Sequence, residues 1–371
     1  MKKVLLATTM LVAGASIAAA EVTLSGDARM GIVKSGKDNA LTLSTDEGAA
    51  TFTSRARVTF TMSAESDSGL SYGASFRADN AANAASGLAG SVFISGAFGK
   101  LSMGDVDGAA QTATGNVAQK SLTGLGDLSE STFLGAGGMT HPDAAGLSAE
   151  DKETLRVLGV STNITNDPTL LYEYAAGAFT GYVSFTNPRD TIWLVDPTAA
   201  TPAERSALLS NAEAWAVGGK YTFGDYAVGL GYEKLSGYVS DTLDPGAMDT
   251  LDVATPDNTS LKHIVATVEG TVAGLSFKGL YGKASGTVAG DTLADLGLSG
   301  KQYAASVSYS TNGITGTAFY TDDSGVGGIA AYGLGASYDL GGGASIVGGV
   351  AKTKVSGPDS TSMDLGVTFT F

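Results

Sequence analysis

The sequence predicts an all-β protein, a sixteen-stranded antiparallel barrel that crosses a membrane on its strands. Three observations carry this. Segments of about ten residues alternate between apolar and polar along the chain from residue 22 onward. The connections between them are alternately tight and long, the pattern of a membrane barrel with short turns on its periplasmic side and long loops outside. The final segment, SMDLGVTFTF, alternates to the end and closes on Phe371.

Residues 1–20, MKKVLLATTMLVAGASIAAA, carry Lys2 and Lys3, an apolar run, and Ala18-Ala19-Ala20 before Glu21. That is the form of a secretory signal, which puts the start of the mature chain at Glu21. The run is too short for a spanning helix, and no other stretch approaches about 18 apolar residues. Residues 21–371 read as one barrel domain, because no Pro-, Ser- or Gly-rich linker divides them.

The first strand is read over 22–33. Leu24, Ala28, Met30 and Ile32 share one face, and Thr23, Ser25, Asp27 and Arg29 the other. The second, 52–62, sets Phe52, Ala56, Val58 and Phe60 against Arg55, Arg57 and Thr59, and the third, 70–77, sets Tyr72 and Phe76 against Ser75 and Arg77. Strands follow at 90–97 and 100–106. After a long interval come 169–176, 178–186, 213–223, 226–236, 260–272, 275–285, 300–310, 313–322, 329–339, 344–355 and 362–371. Tight turns such as Gly224-Asp225 and Thr311-Asn312-Gly313 alternate with long connections around 34–50, 79–89, 107–168, 187–212, 237–259 and 286–299. A soluble sandwich would also alternate, but its apolar faces would be fewer and opposed; here Tyr, Phe, Val and Leu recur on nearly every strand, which suits apolar outside and polar inside.

The segment 107–168 is far longer than an ordinary connection, which marks it as functional. We expect this third long loop to fold into the barrel and narrow the hole. Opposite it, Arg29, Arg55, Arg57 and Arg77 should form one basic patch at mid-height on the inner wall. The loop region brings Asp105, Asp107, Asp127 and Glu130, and later Asp143, Glu150, Asp151 and Glu153. A basic wall facing an acidic loop sets up a transverse field, which favours dipolar and hydrated solutes over greasy ones.

Other chemistry is scarce. Without Lys2 and Lys3, 20 basic residues remain against 37 acidic ones, a formal charge of −17, which argues against nucleic acid as a partner. No cysteine is present, so thiolate chemistry is excluded. The two histidines, His141 and His263, show no partner spacing for a triad or a metal site, so no catalytic residue and no metal ligand is assigned. Gly341-Gly342-Gly343 precedes no helix and is not a phosphate loop.

Several blocks resemble a known family. VTLSGDARMG at 22–31, DSGLSYGASFRA at 67–78, SGAFGKLSMGD at 95–105, LLYEYAAGAF at 170–179, YTFGDYAVGLGYEK at 221–234, YGLGASYDLGGGASIVGG at 332–349 and DLGVTFTF at 364–371 are similar to the Rhodobacter-type general diffusion porins of α-proteobacteria. The resemblance implies a homotrimer in the outer membrane of a Gram-negative bacterium, reached by export through the periplasm and set among lipid and lipopolysaccharide. It implies a water-filled pore for passive diffusion of small hydrophilic solutes and ions, with no enzymatic activity. It further implies that the four arginines are the family's basic wall cluster. The terminal Phe371 resembles an outer-membrane assembly signal. No cofactor is called for, although calcium at the constriction loop stays open. The mature charge favours cations, weakly. A substrate-specific channel is the alternative, and a barrel enzyme or a surface adhesin are more remote ones.

Overall fold

A computed structural model describes residues 21–34, 50–79, 90–125, 127–134, 169–186, 192–195, 206–240, 257–288, 290–354 and 360–371. The leader expected over 1–20, the distal part of the long loop with His141, Asp143, Glu150, Asp151 and Glu153, and the remaining loop tips lie outside the described residues.

The strands are β1 (Glu21–Lys34), β2 (Thr51–Glu65), β3 (Ser71–Asp79), β4 (Gly90–Gly96), β5 (Gly99–Gly104), β6 (Thr169–Ala176), β7 (Phe179–Thr186), β8 (Ile192–Val195), β9 (Ser206–Phe223), β10 (Tyr226–Ser240), β11 (Asp257–Val272), β12 (Leu275–Val288), β13 (Asp291–Thr292), β14 (Lys301–Thr311), β15 (Ile314–Asp322), β16 (Ala330–Gly341), β17 (Ala344–Lys354) and β18 (Ser360–Thr370). All pairings are antiparallel. Two of the eighteen are appendages: β8 pairs only with the outer part of β9, and the two-residue β13 only with the end of β12. Strand β7 pairs directly with β9 and β12 with β14, so the wall itself has sixteen strands, as expected.

Closure is made by β1 and β18, paired from Asp27↔Thr370 to Lys34↔Met363. Phe371 extends the seam: its N–H donates to the Gly26 carbonyl at 2.9 Å and its own carbonyl accepts from Gly26 at 3.3 Å. With no free edge, every wall strand has its backbone groups satisfied on both sides, the condition for backbone in lipid. Among the described residues no helix is long and apolar enough to cross a membrane.

The residue pattern selects this barrel by its inverted faces. Leu24, Leu334 and Leu365 are each 62% exposed on the outside, while the buried positions include Glu233, His263, Gln302, Thr321 and Asp364 on the inside. A water-soluble fold of this kind would expose a continuous apolar band, which soluble surfaces do not tolerate. The tight turn at Asn312-Gly313 has both residues at positive φ, 48° and 78°, which an Asn-Gly pair accommodates in a two-residue hairpin.

Several elements differ from the sequence reading. Part of the 187–212 connection is the β8–β9 hairpin, and β10 and β11 run on to 240 and back to 257. Antiparallel pairs supply their own backbone hydrogen bonds, so the ribbon continues past the apolar band. The long loop also contains a short helix, α1 (Ala109–Thr114), where AAQTAT supplies small residues and Gly115, at φ 63°, ends it.

Candidate functional site

The described part of the long loop, residues 107–125 and 127–134, packs against the inner wall of the barrel. It leaves β5, and the Ala109 amide then donates to Ser184 Oγ on β7 at 2.8 Å. Helix α1 beds against β7, β9 and β10, with Ala109, Ala110 and Ala113 no more than 1% exposed. The approach is close because the wall presents glycine: a Cβ at Gly231 would stand 2.7 Å from Ala110. Further on, the Ala118 amide donates to Ser306 Oγ on β14 at 2.9 Å, and the Lys120 carbonyl lies over Gly335 of β16. Val117, Leu125 and Leu128 form the apolar underside of the loop.

The far side of the loop is fixed at the closing seam. Asp364 on β18 accepts from the amides of Leu122 (3.0 Å) and Thr123 (2.7 Å) and from Thr123 Oγ1 (2.8 Å). The chain then doubles back along the wall. Thr321 Oγ1 donates to the Leu128 carbonyl at 2.9 Å, the Thr132 amide donates to Asp323 Oδ2 at 2.6 Å, and the Leu134 amide donates to Glu233 Oε1 at 2.6 Å. Hydrogen bonds to several wall strands and one turn therefore hold a loop that the sequence marked only by its length.

The four expected arginines all lie on β1–β3. Arg29 and Arg55 are directly opposed across the β1–β2 ladder, Arg57 stands opposite Asp27, and Arg77 is opposite Thr59. Two like charges in register repel unless something intervenes. Arg55 Nη2 is paired with Asp27 Oδ2 at 3.0 Å, and Arg29 Nη1 donates to the Leu122 carbonyl at 3.2 Å. Both contacts refine the expectation that the opposing groups would be acids of the loop: for this pair they are a carboxylate of the same wall and a loop carbonyl. Asp27 was visible in the alternation, two residues before Arg29 on the same face. Asp364, likewise on the polar face of the last strand, also faces Arg29 electrostatically.

The four loop acids are brought together. Asp105, Asp107, Asp127 and Glu130 are all exposed. Partial enclosure by the wall lifts the Asp107 carboxyl above the ordinary range, and neighbouring Asp105 lifts it further. Enclosure does the same to Glu130, followed by repulsion from Asp127 and Asp107. The acids thus form a mutually repelling group on one element, with the guanidinium groups on another.

Sequence reasoning missed a further group. His263, whose sequence neighbours show no partner spacing, is opposite Glu233 in the β10–β11 register, and its Nδ1 lies 2.8 Å from Glu233 Oε1. A carboxylate and an imidazole at matching positions of adjacent hairpin strands were detectable once the 226–236 and 260–272 strands were aligned on their turns.

A closed barrel with an apolar outside, a polar lumen and a chain segment pinned across that lumen defines a transmembrane channel. A family model described as Gram-negative porin matches residues 7–369, and the chain belongs to that family. It is 37% identical over 357 residues to the "Porin" of Rhodobacter capsulatus, covering 95% of this chain and all of that one. A porin structure refined at 1.8 Å superposes with a TM-score of 0.63 at 31% identity, over 95% of this chain and 100% of the other. An engineered variant of the Rh. blastica porin gives 0.56 at 18% identity with the same coverage, a likeness of fold. The chain is therefore a general diffusion porin of the Rhodobacter type, an outer-membrane channel for passive diffusion and not an enzyme.

Proposed function

We propose that permeation is weakly cation-selective and is controlled at an eyelet between Arg29, Arg55, Arg57 and Arg77 on the wall and the loop edge bearing Asp105, Asp107, Asp127 and Glu130. The observation that carries this is the Arg29–Leu122 hydrogen bond, which makes the basic wall and the loop contiguous within the lumen. Small hydrated solutes cross by diffusion, the acids raising the local cation concentration. Residues 107–168 act as the constriction loop, 1–20 as the removed export signal, and Phe371, already part of the closing seam, as the assembly signal. Three such barrels make the working unit in the lipid and lipopolysaccharide bilayer. Among the described residues no group of three or more His, Asp or Glu side chains is arranged to hold a metal ion.

The test is the reversal potential of the mature protein in planar bilayers across a potassium chloride gradient, at low and high mean salt. A cation preference that weakens as salt rises is the expected result; an anion preference, or one indifferent to salt, would refute it. A solute-specific channel is the second reading. In its favour is a cavity of about 610 Å³ between the loop and the β9–β10 turn, where Glu269 is paired with Lys220 and, at 3.1 Å, with Lys278.

A further inference from the structure

The cavity of about 610 Å³ beside the loop holds charged groups that the eyelet does not use. Lys220 on β9, Glu269 on β11 and Lys278 on β12 each stand three residues from the turn end of their strand, at Phe223, Val272 and Leu275. Those turns are tight, so the three side chains belong to the periplasmic end of the lumen. Asn116 and Ala118 of the loop line the same cavity. A side chain at Gly115 would come within 3.1 Å of Lys278 Nζ, so the group reaches the loop itself.

Strand register explains how the three meet. Glu269 and Lys278 are directly opposed in the β11–β12 ladder, with Lys278 Nζ 3.1 Å from Glu269 Oε2. Lys220 lies on the far side of β10, and its Nζ donates to Glu269 Oε1. It can reach across because β10 sets only Ala227 opposite Glu269 and Gly229 opposite Lys220. Each Glu269 oxygen therefore serves one ammonium group. The side chains of Lys220 and Glu269 keep 33% and 29% of their surface open and that of Lys278 keeps 14%, so the group faces water and is not a sealed ion pair. Around this cavity the charges balance: Lys220 and Lys278 against Glu269 and, at the exposed turn, Asp225. The arginines stand elsewhere. Strand β10 is half-way round the sixteen-stranded wall from β1, and Arg57 is eight residues from the turn end of β2 at Glu65.

We propose that Glu269 is a selectivity-determining residue of a second charge filter, in the periplasmic vestibule, where it cancels Lys220 and Lys278 and keeps that end of the pore open to cations. A solute meets the eyelet and this balanced patch in series. Without the carboxylate the vestibule carries unbalanced positive charge, which repels cations and retains small anions such as chloride. A unit charge about 8 Å away in water changes the local concentration of a monovalent ion about twofold at low salt, which sets the size of the effect.

The inference rests on the diffusion reading of the channel but not on the eyelet. Reversal potentials would be measured in planar bilayers under a potassium chloride gradient at low mean salt, for wild type, Glu269→Gln, Lys278→Gln and the double variant. Glu269→Gln should lower the cation-to-anion permeability ratio about twofold, and Lys278→Gln should raise it by a similar factor. The double variant restores the balance of charge and should return to the wild-type ratio. A merely structural role would instead shift both single variants the same way, by loosening the loop, and the double variant further still. Should Glu269→Gln fail to insert, Lys278→Gln decides, and a lowered or unmoved ratio there would count against the filter. An unmoved ratio in Glu269→Gln, shifts of one sign in both single variants, or a double variant that does not return would overturn the proposal. If these variants behave as stated while Arg55→Gln/Arg57→Gln leaves conductance and ratio unmoved, the eyelet fails and the filter stands. Wild-type protein that inserts without conducting would overturn the channel reading itself.

Discussion

Replacing Asp364 by alanine should free the far side of the loop from the closing seam. Asp364 is 6% exposed and takes three hydrogen bonds from Leu122 and Thr123, two of them from backbone amides. Bonds to a charged acceptor contribute about 1.5–3 kcal/mol each when the freed donors have no substitute. Here water of the lumen can take up the freed donors, so the ordinary net value of about 1 kcal/mol each applies. The sum of about 3 kcal/mol corresponds to a roughly hundredfold larger population of loop detached at this point. Arg29 would lose its hold on the Leu122 carbonyl in the same event. The barrel should still close, because the β1–β18 ladder does not depend on the Asp364 side chain. Single-channel recording of Asp364→Ala should therefore show wild-type insertion with markedly greater open-state noise and altered conductance. Asp364→Asn, which keeps one acceptor oxygen, should fall between. If Asp364→Ala conducted with wild-type amplitude and noise, the seam contact would not be what positions the loop.

Acidification should weaken cation preference early. The raised carboxyls of Asp107 and Glu130 take up protons while the pH is still above the ordinary carboxylate range of about 4. Because their folded values are raised, protonation also favours the folded loop, so selectivity should fall without loss of the barrel. Reversal potentials measured during an acid titration check this, and a preference unchanged until the ordinary range is reached would contradict it. A side chain at Gly335 would collide with the Lys120 carbonyl, so Gly335→Val should cost about 1–3 kcal/mol at the loop–wall contact. Conductance and thermal dissociation should both change, whereas Gly316→Ala, with nothing within 4 Å of the added carbon, should leave both alone.

Much of the barrel was legible because lipid imposes a strict rule on each strand. Outward positions such as Leu24, Met30 and Ile32 must be apolar, and a period of two then reveals the sixteen wall strands. The strand extensions at 206–212, 237–240 and 257–259 were less legible, because alternation is not enforced on a ribbon beyond the apolar band. The arginines could be placed by counting along the first three strands. Their partners were harder, since Asp364 is 335 residues from Arg29 and reaches it only through ring closure. The path of the loop was the least legible. Its contacts run through backbone amides to single wall side chains, Ser184, Ser306 and Asp323 among them, and small residues such as Gly231 and Gly335 beneath it look like ordinary strand glycines.

The most direct test of the eyelet compares wild-type protein with Arg55→Gln/Arg57→Gln by conductance and reversal potential under one salt gradient. The account predicts a larger conductance or a stronger cation preference in the double variant, because two positive charges leave the narrowest part of the lumen. A channel identical to wild type in both quantities would remove these arginines from the constriction and contradict it.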